Sequence, residues 1–405
     1  MKNKLYLLLL VTVITMSCGS KKDSETTEVK KITSIESPAG ANAEEPNLVN
    51  GLDGNLYMSW IERNDKMATL YFSKWEDEKW SNPEKIAEGD DWFVNWADYP
   101  AIAVNKSGDM IAHYLQKSDT GTYTYDVKLV AKRAFSDEWS APIKLHSDTV
   151  NAEHGFVSMQ PLEDDSFFLS WLDGRNTASN EGGHHGHGNG AMTIRAAVLD
   201  TDLTILSESE LDSRVCDCCQ TSAAVTTNGP IVTYRDRSED EIRDMSIVRL
   251  VDGQWTSAQN IYADGWNIAG CPVNGPKTAA MENNLAIAWF SAPEGEAQVK
   301  VIFSNDGGAS FGNPVKLDEG NAVGRVDIEL LNENKAIVSW LEGENIVAAM
   351  VSTNGEVIQR YNIATTSQSR GSGFPQIAIH NNKLMVAWTD VDSKSIKMGY
   401  LNMLN

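Results

Sequence analysis

The stretch NLYMSW, residues 55–60, is a short apolar run that closes on an aromatic residue, and six related copies follow it along the chain. The copies are DMIAHY at 109–114, SFFLSW at 166–171, GPIVTY at 229–234, NLAIAW at 284–289, KAIVSW at 335–340 and KLMVAW at 383–388. Successive closing aromatic residues lie 48 to 63 residues apart. A repeat of about fifty residues in a strand-rich sequence is typical of a β-propeller, in which each repeat forms one four-stranded blade. The sequence therefore predicts an all-β propeller with seven blades.

Each repeat also supplies the other strands of a blade, labelled A to D from the channel outward. Strand A precedes the recurring strand B, as in YPAIAV at 99–104, and strand C follows it, as in VKVIF at 299–303. Strand D has its own repeat, as in WSAPIKL at 139–145. The seventh repeat ends after strand C, so we expect KKITSIES at 30–37 to close the ring as its outer strand, because an unpaired edge promotes aggregation. A six-bladed ring with one repeat outside it is the alternative.

The N-terminal residues have the composition of an export signal. A lysine-containing start precedes an apolar run at 5–14, and the small residues before Cys18 resemble a bacterial lipoprotein cleavage site. We expect a signal peptide with a lipidated cysteine at 1–18, a disordered tether at 19–29 and the propeller at 30–405. An ordinary cleaved signal peptide is the alternative. Either way, the sequence predicts an exported protein of the periplasm or cell surface, and the lipid would be its only membrane contact.

The acidic composition limits the classes of partner. The formal net charge is −22 over 405 residues. Nucleic acid is not expected as a partner, because phosphate binding requires a basic surface. A membrane-spanning domain is not expected either, since no apolar stretch of about 18 residues follows the N-terminal region.

The unusual residues of the chain concentrate in two classes of loop. Because strand direction alternates, the loops from B to C and those from D to the next A open on one face, called the loop face below. Aromatic, cysteine and arginine residues cluster in these loops, as in DDWFVNWADYP at 90–100, whereas the A–B turns are plain, as in NKSGD at 105–109. The sequence therefore predicts that a ligand binds on the loop face, around the mouth of the channel.

The segment SNDGGASF, residues 304–311, matches the Asp-box of sialidases, S-x-D-x-G-x-[ST]-[WF]. The chain therefore resembles the sialidase-like Asp-box propellers. In that family the box is a structural turn on the face away from the active site, which implies that Asp306 is a turn residue. The resemblance implies a carbohydrate or other small anionic ligand, and a possible exo-glycosidase activity. A non-catalytic scaffold that docks a cell-envelope protein is the alternative.

The resemblance also implies a set of site residues. Sialidases hold a substrate carboxylate with three arginines, whose planar fork suits bidentate contact, and they use a tyrosine nucleophile, a glutamate and an acid–base aspartate. The catalytic candidates are Tyr234, Glu241 and Asp98. The ligand-binding candidates are Arg175, Arg235, Arg237, Arg325, Trp92, Trp266 and His154, and we expect Trp92 and Trp266 to be more exposed than Trp96. Arginines that pair with loop aspartates and brace the loops are the alternative.

Cysteines and histidines provide a second hypothesis for the loop face. One D–A loop contains Cys216, Cys218 and Cys219, and the next contains Cys271. In an oxidising compartment disulfides are the default, whereas a thiolate site for a soft metal, copper or zinc, is the other interpretation. The glycine-rich loop at 181–190 adds His184, His185 and His187, which either bind copper, nickel or zinc or merely lengthen a surface loop.

Overall fold

The recurring strand ends on a buried aromatic ring in every copy. The structure is a computed structural model that describes residues 32–177 and 190–403. Trp60, Trp171, Trp289 and Trp340 are at most 1% exposed, and the other three closing aromatic residues are buried as well. Consecutive residues of the recurring strand are apolar and buried because both faces of a blade pack against neighbouring blades.

The described residues contain thirty strands and two short 3₁₀ helices. The chain begins with β1 (Thr33–Ile35). Blade 1 is β2 (Ala43–Asn50), β3 (Leu56–Asn64), β4 (Met67–Glu76), β5 (Lys79–Trp80) and β6 (Glu84–Gly89), and blade 2 is β7 (Ile102–Val104), β8 (Met110–Lys117), β9 (Tyr125–Lys132) and β10 (Ile143–Lys144). Blade 3 is β11 (His154–Pro161), β12 (Phe167–Asp173), β13 (Met192–Leu199) and β14 (Ile205–Val215), and blade 4 is β15 (Ser222–Thr226), β16 (Gly229–Arg235), β17 (Met245–Val251), β18 (Gln254–Trp255) and β19 (Gln259–Tyr262). Blade 5 is β20 (Lys277–Met281), β21 (Asn284–Ser291), β22 (Gln298–Ser304) and β23 (Val315–Lys316), with η1 (Pro293–Gly295) between β21 and β22. Blade 6 is β24 (Ala322–Asn332), β25 (Lys335–Glu342), β26 (Asn345–Ser352) and β27 (Val357–Thr365), and blade 7 is β28 (Gln376–His380), β29 (Lys383–Asp390) and β30 (Ser395–Asn402), preceded by η2 (Arg370–Ser372).

The strands of each blade follow one another outward as an antiparallel sheet. In blades 1 and 4 the short strands β5 and β18 extend the hairpin between strands C and D. Blade 7 is completed by β1, which pairs with β30 so that Thr33 lies opposite Tyr400. The predicted seven-bladed ring closed by an N-terminal strand is therefore confirmed, and the six-bladed alternative is wrong.

Seven apolar clusters hold the ring together, and each joins two neighbouring blades. Leu129 and Trp171 belong to the cluster between blades 2 and 3, for example, and Met58 and Met398 to the cluster between blades 1 and 7. Complete burial of such a side chain contributes roughly 1.5–3 kcal/mol. Because the last cluster joins the two ends of the chain, the same packing that stacks the blades also closes the ring.

The inner strands of all seven blades line a central cavity of about 490 Å³. Its wall is not purely apolar, since Lys277, Asp327 and Glu329 lie among the lining residues. Burial and the neighbouring charge of Asp327 raise the pKa of Glu329 to about 8. The channel is therefore a polar cavity rather than an extension of the hydrophobic clusters.

The predicted turn at 304–311 connects β22 to β23. Asp306 Oδ1 accepts hydrogen bonds from the Ser304 hydroxyl at 2.7 Å and the Ser310 amide at 3.0 Å. Gly307 and Gly308 have φ values of +69° and +83°, a conformation that side chains with a Cβ rarely adopt. The prediction that Asp306 and the glycines form a turn is confirmed.

Several predictions lie outside the described residues. These are the signal peptide and tether at 1–29 with Cys18, and the histidine loop with His184, His185 and His187. Among the described residues, neither short helix has the length and apolar character needed to cross a membrane.

Candidate functional site

The loops of several blades meet over one mouth of the channel. Trp96 stacks on Phe374 with ring centroids 5.7 Å apart, and the Arg325 guanidinium lies 5.0 Å from the centre of the Trp96 ring. Gln220 Nε2 donates to the Ala97 carbonyl at 2.7 Å. Residues from distant parts of the chain therefore converge on the loop face, as the alternation of strand direction predicts.

Arg235 is a buried brace rather than an open ligand-binding group. Its guanidinium donates four hydrogen bonds, all to backbone carbonyls. The acceptors are Asn274 O at 3.2 and 2.8 Å, Arg243 O at 2.7 Å and Phe290 O at 2.6 Å. The side chain is 1% exposed and lies over the Trp266 ring. It ties the loops of blades 4 and 5 together, and backbone carbonyls occupy four of its five N–H donors.

Arg325 has a similar environment at blade 6. It donates to three carbonyls between residues 368 and 373 and to the Ser372 hydroxyl at 2.6 Å. Burial, followed by the nearby charge of Arg370, lowers the pKa of Arg325 to about 10. The guanidinium therefore braces the loop before blade 7.

The remaining two arginine candidates pair with carboxylates of the chain. Arg175 forms a bidentate pair with Asp173, with both N–O distances at 2.7 Å. Arg237 donates to Asp217 at 3.0 Å and to Glu241 at 2.7 Å. The four predicted arginines thus have partners within the protein, which agrees with the alternative that they brace the loops. They do not converge on a site that could hold a substrate carboxylate.

The predicted pair of Tyr234 and Glu241 is not formed. The Tyr234 hydroxyl donates to Asp212 at 2.6 Å, whereas Glu241 accepts from Arg237 and Arg243. Successive residues of a strand face opposite sides, so Tyr234 enters the cluster between blades 3 and 4 while Arg235 points toward blade 5. Burial and Asp212 raise the pKa of Tyr234 far above its usual value. A hydroxyl in this position is a structural donor and is not accessible as a nucleophile.

Asp98, the predicted acid–base group, is a buried carboxyl that pairs with the half-buried Glu153. Its Oδ1 accepts from the Phe156 amide at 2.6 Å. The Tyr125 hydroxyl lies 3.2 Å from Asp98 Oδ2 and 2.8 Å from Glu153 Oε1. Burial raises the pKa of Asp98 to about 7, and burial together with the charge of Asp98 raises that of Glu153 to about 8. Two carboxyls that exchange protons near neutral pH have the property required of a general acid or base.

The aromatic candidates differ from expectation. Trp266 is 7% exposed and packs edge-on against Phe290, so the prediction that it is more exposed than the half-buried Trp96 is wrong. Trp92 is half-buried and stacks on Tyr114 with ring centroids 4.2 Å apart. Both rings pack within or beside the blades because their loops lie back onto the strands.

The cysteines of the two neighbouring loops come together on the loop face. The sulfurs of Cys216, Cys218 and Cys219 lie within 4.8 Å of one another, and Cys216 and Cys219 are 3.4 Å apart. Cys271, on the next loop, lies within hydrogen-bonding contact of Cys218. All four thiols are free in the structure, and only Cys271 is exposed. The group is called the cysteine cluster below.

Arg243 polarises the cysteine cluster. Its Nη1 donates to Cys216 Sγ at 3.3 Å, and its Nη2 donates to Glu241 at 2.7 Å. Burial raises the pKa of Cys216, but contacts with the other thiols and the charge of Arg243 outweigh it, so the pKa is lowered overall. Burial and the neighbouring Cys216 sulfur raise the pKa of Cys219 to about 12. These contacts favour ionisation of Cys216, and the thiolate is the form of cysteine that binds metal ions.

His154, another ligand-binding candidate, is fully buried between blades 2 and 3. Its ring stacks on His146 with centroids 3.6 Å apart and an interplanar angle of 7°. Asp148 and Asp173 face its Nε2 at 3.3 and 3.6 Å. His146, Asp148, His154 and Asp173 are together called the histidine–aspartate cluster below. It is a polar cluster beneath the loop face rather than an exposed ligand contact.

Sequence reasoning missed four residues of these clusters: Tyr125, His146, Asp148 and Glu153. Three of them lie in the segment HSDTVNAEH at 146–154, which contains four titratable side chains in nine residues. That concentration in one D–A loop was the available signal.

Comparison with known proteins supports the architecture. No family model and no curated protein matches the sequence. Among solved structures, the polysaccharide lyase Uly1 matches with a TM-score of 0.53 and 10% identity, over 95% of this chain and 94% of that one. A protein of unknown function from Dyadobacter fermentans matches with a TM-score of 0.51 and 11% identity, over 78% of this chain and 96% of that one.

An α-L-arabinofuranosidase from Fusarium graminearum, bound to an iminosugar inhibitor, matches with a TM-score of 0.50 and 11% identity, over 93% of this chain and 97% of that one. Sialidases are also among the matched structures, at TM-scores of 0.43 to 0.45. At such identities the likeness establishes a shared propeller fold. The sialidase relationship itself stays an expectation from the Asp-box.

Proposed function

We propose that this protein is an exported, lipid-anchored propeller whose loop face binds a soft metal ion, copper(I) or zinc, through Cys216, Cys218 and Cys219. The observation that carries the proposal is the approach of these three sulfurs within 4.8 Å of one another. Thiolates are the preferred protein ligands of both ions, and copper(I) is held well by sulfur ligands alone. Cys271 lies at the exposed rim and gives an entering ion its first sulfur contact.

The charges around the cluster support this function. Three thiolates that bind a monovalent or divalent ion keep a net negative charge, which is costly to bury without compensation. Arg243 donates to Cys216, and Arg235 contributes a second positive charge that also lowers the pKa of this thiol. In the proposed role, these arginines stabilise the thiolates instead of a substrate carboxylate.

Elemental analysis tests the proposal directly. The full chain is exported, purified without chelator, and compared with Cys216→Ser and with the triple variant His184→Asn, His185→Asn and His187→Asn. We expect copper or zinc in near-equimolar amount in the wild type and the triple variant, and its loss in Cys216→Ser. Free-thiol counting distinguishes metal binding from the formation of disulfides. A metal-free wild type with fully oxidised cysteines, or metal content unaffected by Cys216→Ser, contradicts the proposal.

Carbohydrate binding or processing is the second candidate, favoured by the carboxyl pair of Asp98 and Glu153. Most glycosidases use two carboxyl groups, one of them protonated near neutral pH. The pKa of Asp98, about 7, suits that role. Two matched propellers act on glycans, as a lyase and an arabinofuranosidase.

The carbohydrate candidate is tested with sialosides, arabinans and acidic polysaccharides as substrates. Asp98→Asn is compared with Asp306→Asn, which changes an aspartate in a turn between strands C and D, away from the loop face. We expect binding or turnover in the wild type and in Asp306→Asn, and its loss in Asp98→Asn. Equal activity of Asp98→Asn and the wild type, or no interaction with any of these glycans, refutes this candidate.

A further inference from the structure

The histidine–aspartate cluster contains potential metal ligands that have no role in the function proposed above. His154 begins β11, Asp173 ends β12, and the two residues lie directly opposite each other in the sheet. Asp148 approaches from the loop that leads into β11. His154 and Asp173 are both fully buried. The arrangement places one imidazole and two carboxylates around a common point under the loop face.

The hydrogen bonds of His154 fix which ring nitrogen faces the carboxylates as an acceptor. Nδ1 lies 3.3 Å from the Tyr125 carbonyl oxygen, which can only accept, so Nδ1 carries the proton. In a neutral ring Nε2 then presents a lone pair. That atom has no hydrogen-bond partner among the described residues, although Asp148 Oδ2 and Asp173 Oδ1 lie 3.3 and 3.6 Å away. Arg175 contacts both carboxylates, with its Nη2 3.3 Å from Asp148 Oδ2, but Nε2 itself faces their oxygens without a donor.

The gap between Nε2 and the two carboxylates holds either a proton on Nε2 or a metal ion. Arg175 holds both oxygens of Asp173 in a bidentate pair, which keeps this carboxylate oriented toward His154. The group offers one imidazole nitrogen and two carboxylate oxygens, a donor set that zinc accepts.

The spacing of the donors also suits a four-coordinate ion. Zinc lies about 2.0–2.1 Å from nitrogen and oxygen ligands, so adjacent ligands of a tetrahedral site are separated by about 3.3–3.4 Å. The distances from His154 Nε2 to the two carboxylates are 3.3 and 3.6 Å. All three ligand atoms lie within 4.8 Å of one another, so one ion can contact them together.

The surrounding hydrogen bonds resemble those that orient ligands in known metal sites. There, a ligating histidine donates its other N–H to a carbonyl or carboxylate, and ligating carboxylates are themselves hydrogen-bonded. His154 has the Tyr125 carbonyl as such a partner, and Trp171 Nε1 donates to Asp173 Oδ2 at 2.9 Å. His146 Nδ1 lies 2.7 Å from Asp148 Oδ2. Glu208, 3.4 Å from Arg175, partly offsets the repulsion between that guanidinium and a bound cation.

We propose that His154, Asp148 and Asp173 bind a divalent transition-metal ion of the zinc type, which fastens the loop before blade 3 to strands β11 and β12. The site shares no residue with the cysteine cluster. Its nitrogen and oxygen donors suit borderline ions, whereas the sulfurs suit soft ones. Either site can therefore exist without the other.

The test isolates this site in the full chain. Cys216, Cys218, Cys219 and Cys271 are changed to Ser, and His184, His185 and His187 to Asn, so that the other predicted ligands are absent. Cobalt(II) is titrated into this parent variant, and zinc is then added. We expect visible bands of four-coordinate cobalt without thiolate charge transfer, displacement of cobalt by zinc, and a higher unfolding temperature with zinc.

Substitutions identify the ligands. Asp173→Asn and His154→Gln in the parent variant should each lower zinc affinity at least tenfold. His113→Gln is the matched control, because His113 is another fully buried histidine with an unpartnered Nε2, and only burial and the Ala101 amide perturb its pKa. This control should bind zinc as the parent variant does. Equal affinity of the parent, Asp173→Asn and His154→Gln variants overturns the assignment.

Nitrogen-15 spectra of the parent variant keep the proposal testable if a substitution prevents folding. We expect His154 to be protonated on Nδ1 alone near neutral pH and its Nε2 resonance to shift when zinc is added. A doubly protonated His154 at that pH, with no cobalt or zinc binding at millimolar concentration, shows that a proton occupies the gap and refutes the metal site.

Discussion

Replacement of Arg235 by Met tests whether this residue stabilises the loops or binds a ligand. Methionine keeps most of the apolar part of the side chain that packs on Trp266, but it lacks the guanidinium. Three backbone carbonyls, those of Asn274, Arg243 and Phe290, then lose their donor. Because the side chain is 1% exposed, water does not readily replace these hydrogen bonds without rearrangement of the loops.

The expected loss of stability follows from these contacts. A buried polar group left without a partner costs about 1–3 kcal/mol, so three carbonyls set an upper limit of about 9 kcal/mol. Removal of the buried charge recovers part of its desolvation cost, and the loops relax. We therefore expect the free energy of unfolding to fall by about 3–5 kcal/mol, a large share of the roughly 5–15 kcal/mol of a typical domain.

Equilibrium urea unfolding, followed by tryptophan fluorescence, measures this loss. Arg370→Met is the control, since Arg370 is exposed on the same face and should unfold like the wild type. If Arg235→Met were as stable as the wild type but failed to bind metal or glycan, Arg235 would be a ligand-binding residue and the reasoning would be refuted.

Three further perturbations test other parts of the structure. Burial raises the pKa of Asp98 to about 7, so the folded protein holds a proton that the unfolded chain releases near pH 4. The stability of the wild type should therefore fall as the pH rises from about 4 to about 7. In Asp98→Asn this decline should be smaller by up to about 4 kcal/mol, and parallel pH profiles of the two unfolding free energies would contradict the assignment. Deletion of β1 exposes the edge of β30 and should cause self-association, measured by light scattering; a monomer of unchanged stability would show that β1 does not protect the edge. Asp306→Ala removes three hydrogen bonds from the turn at 304–311 and should lower the unfolding free energy by about 1–3 kcal/mol without a change in metal content, whereas loss of metal would place this turn in the site.

The sequence was sufficient for the architecture because the relevant pattern is local. Each apolar run that ends in Trp or Tyr reports a strand buried on both faces, and seven such runs require seven blades. The seventh repeat supplies three strands, so its outer edge needs a partner, and residues near 33 were expected to provide it. Strand alternation also determined the face on which each loop opens, so the cysteines of two separate loops could be placed on the same face.

The roles of individual loop residues could not be predicted from such local patterns. Arg235 differs from a substrate-binding arginine only through acceptors such as Phe290 O, which is 55 residues away along the chain. Tyr234 and Glu241 are close in sequence, but strand alternation and the Asp212 carboxylate separate their environments. Such partners are fixed by how the blades stack, and no local pattern encodes them.

Taken alone, the sequence determined the number of blades, the closure of the ring and the face on which chemically active residues gather, because hydrophobic periodicity and strand direction are properties of short segments. Only the tertiary structure decided which of those residues are used as braces and which form clusters. Arg325 is occupied by the loop at 368–373, whereas His154 retains a free nitrogen between two carboxylates. Distances of a few ångströms between residues of different blades decide these roles, since hydrogen bonds, thiol ionisation and ion binding all depend on such distances.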